Sequence, residues 1–315
     1  MNKREKRVRS KSCWTILRLN NNGIALALLA LAVTTPVRAA RIKLATWNME
    51  WLSHRPLSDP SLPFDRPDRG PEDYRLIALT LEKLAPDIIA LQEVDGANAL
   101  TGLFKDGAYQ FFMTPTPIAQ RVVVAVRRGY DVTLNPALMA LNVSPKGHHP
   151  LREGLDLTIA IGKQHLRILA LHLKTGCWEQ PLNQRLHACP LLYRQLSIVA
   201  NWVAARQSEG VPFILIGDFN RRFTDQDPAF KLLSRDAKLT LATEGLASPC
   251  HGGEYFIDHI ILGAMGRAAF GNHSLRVMTS MQKFDGVEPS DHCPVSVEIE
   301  LNAVAGASPT RNAAG

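Results

Sequence analysis

The chain has 315 residues, 46% hydrophobic and 21% charged, a globular composition that excludes a disordered, coiled-coil or collagen-like protein. Its net charge of +7 would suit a nucleic-acid binder, but residues 1–39 hold the whole excess, with eight Lys or Arg and one acid. The remainder carries 28 basic and 28 acidic side chains, so bulk positive charge is not its means of binding.

Residues 1–22 are polar and basic, and 24–33 (IALALLALAV) form an apolar run of ten. Small residues follow, ending in Val37-Arg38-Ala39-Ala40. This is the order of a secretory signal peptide, with cleavage expected after Ala39 or Ala40. Ten helical residues rise about 15 Å, half the hydrocarbon core, so no stable membrane insertion is expected after cleavage. The mature protein is expected to be periplasmic or secreted. Cys13 leaves with the signal, and Cys177, Cys189, Cys250 and Cys293 allow three pairings. Local closure favours Cys177–Cys189, which leaves Cys250–Cys293; free thiols and a zinc site are the alternatives.

Residues 41–47 (RIKLATW) alternate and predict a strand. A loop rich in Pro, Asp and Arg spans 48–71, and helical spacing predicts a helix over 72–84, stopped at Pro86. Strands are predicted over 87–92, 109–113 and 121–127, with a short helix over 95–104. A weaker strand over 132–141 contains Pro136. Strands 155–161 and 165–173 form a hairpin. The longest helix is predicted over 186–207, then a buried strand over 212–216 and a short helix over 227–233. Strands close the chain over 255–262, 274–279 and 295–301. About ten strands and three or four helices predict one α/β domain over 40–302, with a mixed, mostly antiparallel sheet order and helices on the outer faces. A flexible tail is expected over 303–315.

Several apolar strands end in acids, amides or imidazoles: Trp47-Asn48-Met49-Glu50, Leu91-Gln92-Glu93, Leu171-His172, Gly217-Asp218-Phe219-Asn220 and Ser290-Asp291-His292. Asp258 lies inside the strand YFIDHIIL. A carboxylate in an apolar strand costs several kcal/mol unless paired or metal-bound. Each position alone could be a strand cap or turn residue. Convergence of all six on one sheet edge would make a metal site with bases nearby.

The segments RIKLATWNMEWL, DIIALQEV, LALHLK, ILIGDFN, FIDHII and SDHCPV occur in this order across the mature chain. In them the chain resembles the endonuclease/exonuclease/phosphatase superfamily. DNase I-like nucleases, abasic-site endonucleases, neutral sphingomyelinases and inositol-polyphosphate phosphatases share that fold. The resemblance implies a four-layer α/β sandwich, two mixed sheets packed face to face with outer helices, and metal-dependent cleavage of phosphate esters. It assigns Glu93, Asn48 and Asp291 to the metal. Asp218 would position or deprotonate the attacking water, and Asn220 would hold a phosphate oxygen. His292 would be the catalytic histidine, Asp258 its orienting acid and His172 a second histidine on the phosphate. Oxygen donors of this kind suit Mg²⁺ or Mn²⁺, with Ca²⁺ as an alternative.

Arg221 and Arg222 follow Asn220 directly and are candidates for a second phosphate or a nucleic-acid backbone. An exported nuclease acting on DNA or RNA, expected to be a monomer, is the leading reading. A phosphatase or sphingomyelinase-like lipid phosphodiesterase comes second, and a non-catalytic binding domain third.

Overall fold

Alternating or unbroken apolar runs give this chain its strands, and two of them need a helix to return to a parallel neighbour. The computed structural model describes residues 40–301, apart from 147, 186–187, 251–252, 266–268, 271–273 and 280–288. The signal expected over 1–39 and the tail expected over 303–315 lie outside the described residues.

The first sheet contains β1 (Ala40–Leu52), β2 (Ile88–Val94), β3 (Tyr109–Met113), β4 (Arg121–Arg127), β11 (Arg276–Val277) and β12 (Val295–Leu301), in the order β11-β12-β1-β2-β4-β3. The second contains β5 (Asp131–Leu134), β6 (Leu155–Ile161), β7 (Gln164–His172), β8 (Phe213–Asp218), β9 (Leu239–Leu241) and β10 (Asp258–Gly263), in the order β5-β6-β7-β8-β10-β9. Each sheet has one parallel pair, β1/β2 and β7/β8, bridged by α1 (Pro71–Leu84) and α2 (Cys189–Glu209). The other neighbours are antiparallel.

Burial defines four layers. Ile42, Ile88 and Val124 of the first sheet pack against Leu157, Ile168 and Ile216 of the second in the central core. Ile77, Leu81 and Leu84 of α1 cover the outer face of the first sheet, on Trp47, Leu91 and Val123. Leu192, Leu196 and Val199 of α2, with Phe230 and Leu233 of α3 (Pro228–Leu233), cover the second on Leu169, Leu171 and Leu215. The protein is thus a four-layer α/β sandwich. None of its described helices is long and apolar enough to cross a membrane.

The local differences from the sequence reading have physical causes. β1 continues beyond Trp47 to Leu52, and its register with β2 shifts between Asn48 and Leu52. Glu50 and Trp51 take left-handed φ angles of 45° and 58° there. The helix expected over 95–104 is only a 3-10 turn, Ala97–Leu100. The segment 132–141 ends as a strand before Pro136 and resumes as a 3-10 turn, Met139–Leu141. The strand expected over 255–262 starts only at Asp258, and β9, three residues long, gave no alternating signal.

Candidate active site

Strand register aligns three polar residues across the second sheet. His172 of β7 pairs with Asp218 of β8, and Asp218 pairs with Asp258 of β10. The glycine before Asp218 is required: at Gly217 φ is +140°, and a Cβ would stand 2.0 Å from the Leu171 carbonyl oxygen. On the first sheet Asn48 pairs with Gln92, and Glu93 follows at a left-handed φ of 60°. The sheets meet at this edge, where Asn48 Nδ2 donates to Asp218 Oδ2 at 3.0 Å. Asn220, also left-handed at φ 51°, donates its backbone N–H to Asp218 Oδ1 at 2.7 Å and its Nδ2 to Oδ2 at 3.0 Å. Left-handed non-glycine residues at Glu50, Trp51, Glu93 and Asn220 concentrate backbone strain at this edge.

The loop carrying His292 is fixed from several sides. Ser290 Oγ donates to the Asn48 carbonyl at 2.7 Å and accepts the His292 N–H at 3.0 Å. The buried Trp47 indole donates to the His292 carbonyl at 2.9 Å. His292 Nδ1 lies 2.7 Å from Asp258 Oδ2, so the ring donates there and Nε2 is left to face the cleft. Burial opposes a charge on His292, but Asp258, Asp218 and Asp291 outweigh it and raise its pKa well above the usual value. Asp218 moves up as well, to about 7, because it is buried and beside Asp258; His292 and the two asparagines only partly offset this. His172 is also buried, and with Arg152 close by it is held well below the usual histidine range. Its Nε2 is 3.6 Å from both Glu93 Oε1 and Asp218 Oδ2.

Oxygen donors crowd the neighbouring space. Glu93 Oε2 accepts the Trp51 N–H at 3.1 Å, and Glu50 Oε2 accepts the Asp291 N–H at 2.9 Å. Burial and the charges of Asp291 and Glu93 raise the Glu50 carboxyl. Arg69 Nη2 is 3.7 Å from Glu50 Oε2, but this guanidinium is largely occupied by the carbonyls of Met49, Glu50 and Pro289. Glu93, Asp291 and Glu50 therefore form a carboxylate group with surplus negative charge, and its hard oxygens fit a divalent cation such as Mg²⁺ or Mn²⁺. Asp218, Asp258 and His292 also place ligand atoms within 4.8 Å of one another. There the imidazole is engaged with Asp258, so that trio reads as an acid–base couple.

Two expected roles change. Asn48 Oδ1 accepts the Glu50 N–H at 3.0 Å, which fixes the amide so that its nitrogen faces Glu93 and Asp218. Asn48 thus orients those carboxylates and turns no oxygen toward them. Arg221 is buried, grips Asp227 through two bonds of 2.8 and 2.7 Å, and donates to the carbonyls of Cys177 and Gln180. It cannot reach a phosphate; it fastens the 177–180 loop to the end of β8. Arg222 does line the cleft, paired with Glu254 and 3.6 Å from Glu179. Disulfides join Cys177 to Cys189 and Cys250 to Cys293.

Sequence reasoning gave no role to Glu50, Arg69 or Arg152. Glu50 sits in the quoted WNMEWL segment and was legible as a strand-end acid. Arg69 comes from a loop and the fully buried Arg152, which donates to the carbonyls of His172 and Leu173, from the run before β6. Nothing in their neighbouring sequence announces either contact.

A two-sheet sandwich with acids, amides and an imidazole at one edge defines a class of protein, the metal-dependent phosphoric ester hydrolases built on this fold. The chain belongs to the Endonuclease/Exonuclease/phosphatase family, whose model matches residues 45–292. Truncated TDP2 from Caenorhabditis elegans is similar in structure, with a TM-score of 0.58 and 16% identity over 83% of this chain and 98% of that one. A family protein from Bacteroides thetaiotaomicron gives 0.54 and 15%, over 84% and 99%. The 3′ phosphatase NExo from Neisseria, bound to a product DNA hairpin, gives 0.53 and 17%, over 82% and 100%. At these identities the likeness speaks for the fold alone. No curated protein matches the sequence.

Proposed function

We propose that this protein is an exported, Mg²⁺- or Mn²⁺-dependent phosphodiesterase that cleaves nucleic acid by in-line attack of water. The observation that carries the reading is the split between two neighbouring groups. His292, pinned to Asp258 at 2.7 Å, favours its charged form, while Asp218, raised to a pKa of about 7, is still partly ionised near neutral pH and can accept a proton. A charged donor beside a carboxylate that titrates near neutrality supplies one acid and one base.

Glu93 and Asp291, joined by Glu50, would hold the metal, and Asn48 would orient Glu93. The bound cation supplies neutralisation of phosphate charge. The remaining work falls to the chain's own residues. Asp218, buried and held by Asn48 and Asn220, takes the proton of the attacking water in its ionised form. Asn220 lines the cleft, and its Nδ2, expected on a phosphate oxygen, donates instead to Asp218 and the Leu173 carbonyl, so the residue positions the Asp218 carboxylate. His292 presents Nε2–H to the phosphate as a charge-assisted donor, or gives that proton to the leaving oxygen. His172, neutral and against Glu93 and Asp218, is a polar neighbour of the phosphate without adding charge. Among the described residues, Cys250 and Cys293 are joined in a disulfide and Ser290 Oγ is bonded to the Asn48 carbonyl, so no covalent enzyme intermediate is expected.

Structures similar to this chain include TDP2 from Danio rerio with a single-strand DNA product and NExo with a product hairpin. The DNA those proteins hold motivates the nucleic-acid reading here, and the expected export signal and the two disulfides bear on location. The test is a panel of plasmid, linear DNA, RNA, sphingomyelin, inositol phosphates and bis-p-nitrophenyl phosphate, each with Mg²⁺, Mn²⁺ or Ca²⁺. Hydrolysis of DNA or RNA above all others is expected. Preference for sphingomyelin or an inositol phosphate would move the protein to the second reading.

A further inference from the structure

Beside His292 lies a cleft of about 330 Å³ whose far walls the hydrolytic machinery leaves unused. Trp178 and Tyr255 both line it, and they are 39% and 50% exposed. Two exposed aromatic side chains lining one cleft give it apolar surface that a ligand can cover. Their backbones are braced. Trp178 follows Cys177 of the first disulfide, and its carbonyl accepts the Arg222 N–H at 2.8 Å. Tyr255 bridges Ala247 and belongs to the loop after Cys250, which is bonded to Cys293, the residue next to His292. The rings thus stand on fixed supports next to the reacting position.

The charge of this cleft selects the kind of ligand. Arg222 is its arginine, and Glu254 and Glu179 flank it. A second phosphate would meet a neutralised cation and two carboxylates. A flat, uncharged ring with polar edges meets two exposed aromatic side chains and acceptor groups. We propose that this cleft is a subsite for a nucleobase attached next to the scissile phosphate, stacked against Trp178 and Tyr255. This rests on the phosphodiesterase reading above and narrows it. A base paired in a duplex has both faces covered, so the substrate class is an unpaired strand or a loop. Stacking of this kind tolerates any base and does not require a basic groove.

The experiment compares wild-type protein with W178A, Y255A, W178F and Y255F, all checked for the two disulfides and an unchanged thermal midpoint. The substrates are a single-stranded oligonucleotide, its duplex, and an oligomer of the same length made only of base-free tetrahydrofuran units. Wild type should cleave the base-bearing single strand about tenfold or more faster in kcat/KM than the other two, matching the usual stacking contribution per base. The alanine variants should lose most of that preference, the phenylalanine variants should keep it, and rates on the base-free oligomer should not change. Equal wild-type rates on the two single strands, faster duplex cleavage, or alanine variants that keep the preference would each remove the subsite while leaving the hydrolase reading intact. Hydrolysis of nothing would instead remove the hydrolase reading. The subsite is then decided by binding alone: thymidine 5′-monophosphate should bind more tightly than deoxyribose 5-phosphate to wild type, and equally to W178A. Equal binding to wild type would overturn it.

Discussion

His292 and Asp258 show how one contact sets the chemistry of a side chain. The 2.7 Å bond fixes the ring's orientation and favours its charged form. H292A should lower turnover by at least about 100-fold with the fold retained, since positioned proton transfer contributes roughly 10²–10⁴-fold. Unchanged turnover would remove the role. D258N should lower turnover as well, and should also bring the His292 titration, followed by NMR in metal-free protein, down toward the ordinary value. A different histidine does the opposite. His259 is buried, accepts from Thr243 at Nδ1, donates from Nε2 to the Arg221 carbonyl and lies stacked on Phe223. Burial depresses its pKa from 6.5 to about 4. As pH falls, the unfolded chain binds this proton first. The stability it contributes, roughly 3 kcal/mol, is complete above about pH 6.5 and is lost on the way down to about 4. Denaturant unfolding of H259Q should be less stable than wild type at pH 7.5 but flatter between pH 6.5 and 4. An equally steep decline would put the acid sensitivity elsewhere.

At the scale of elements, the strand ends were more legible than the loops that brace them. β2, β4 and β8 are nearly continuous apolar runs, and the polar residues near the ends of β1, β2, β7 and β8, at the start of β10 and just before β12 stand out against their apolar neighbours. Asn48, Glu93, His172, Asp218, Asp258 and His292 could be picked out this way, because a polar group beside a buried strand needs a reason. Their convergence could not be read, since it depends on a register linking β7, β8 and β10 and on two sheets meeting. Loop residues carry no such contrast. Arg221 looked free beside Asn220, yet Asp227, six residues on, consumes its charge. Arg69 shows the reverse, a loop residue that ties Met49, Glu50 and Pro289 together. R69A should therefore weaken Mg²⁺ activation by about 10- to 100-fold, as loss of outer support does at other metal sites, with R69K recovering part of it. Unaltered Mg²⁺ dependence would limit Arg69 to packing. Gly217 is the sharpest element-level test. G217A places a Cβ against the Leu171 carbonyl and should destabilise by about 3 kcal/mol or more, read as a lower denaturant midpoint at constant m.

For the whole molecule, the four layers are what bring residues 245 positions apart, Trp47 and His292, into one hydrogen bond. The net neutrality of residues 40–315 adds a consequence for substrate capture. Enzymes that hold nucleic acid by many phosphate contacts lose about 10³–10⁵ in affinity between 50 and 200 mM salt. Here KM for a single-stranded oligonucleotide should change by less than about tenfold over that range; a change of several hundredfold would reveal a local basic track. The most direct test of the central claim is the rate of oligonucleotide hydrolysis by purified protein after exhaustive chelation, followed by Mg²⁺ titration to millimolar levels. The account predicts no measurable rate in chelator and saturable recovery with Mg²⁺ or Mn²⁺. A full rate in chelator, or none at any metal concentration, would contradict it.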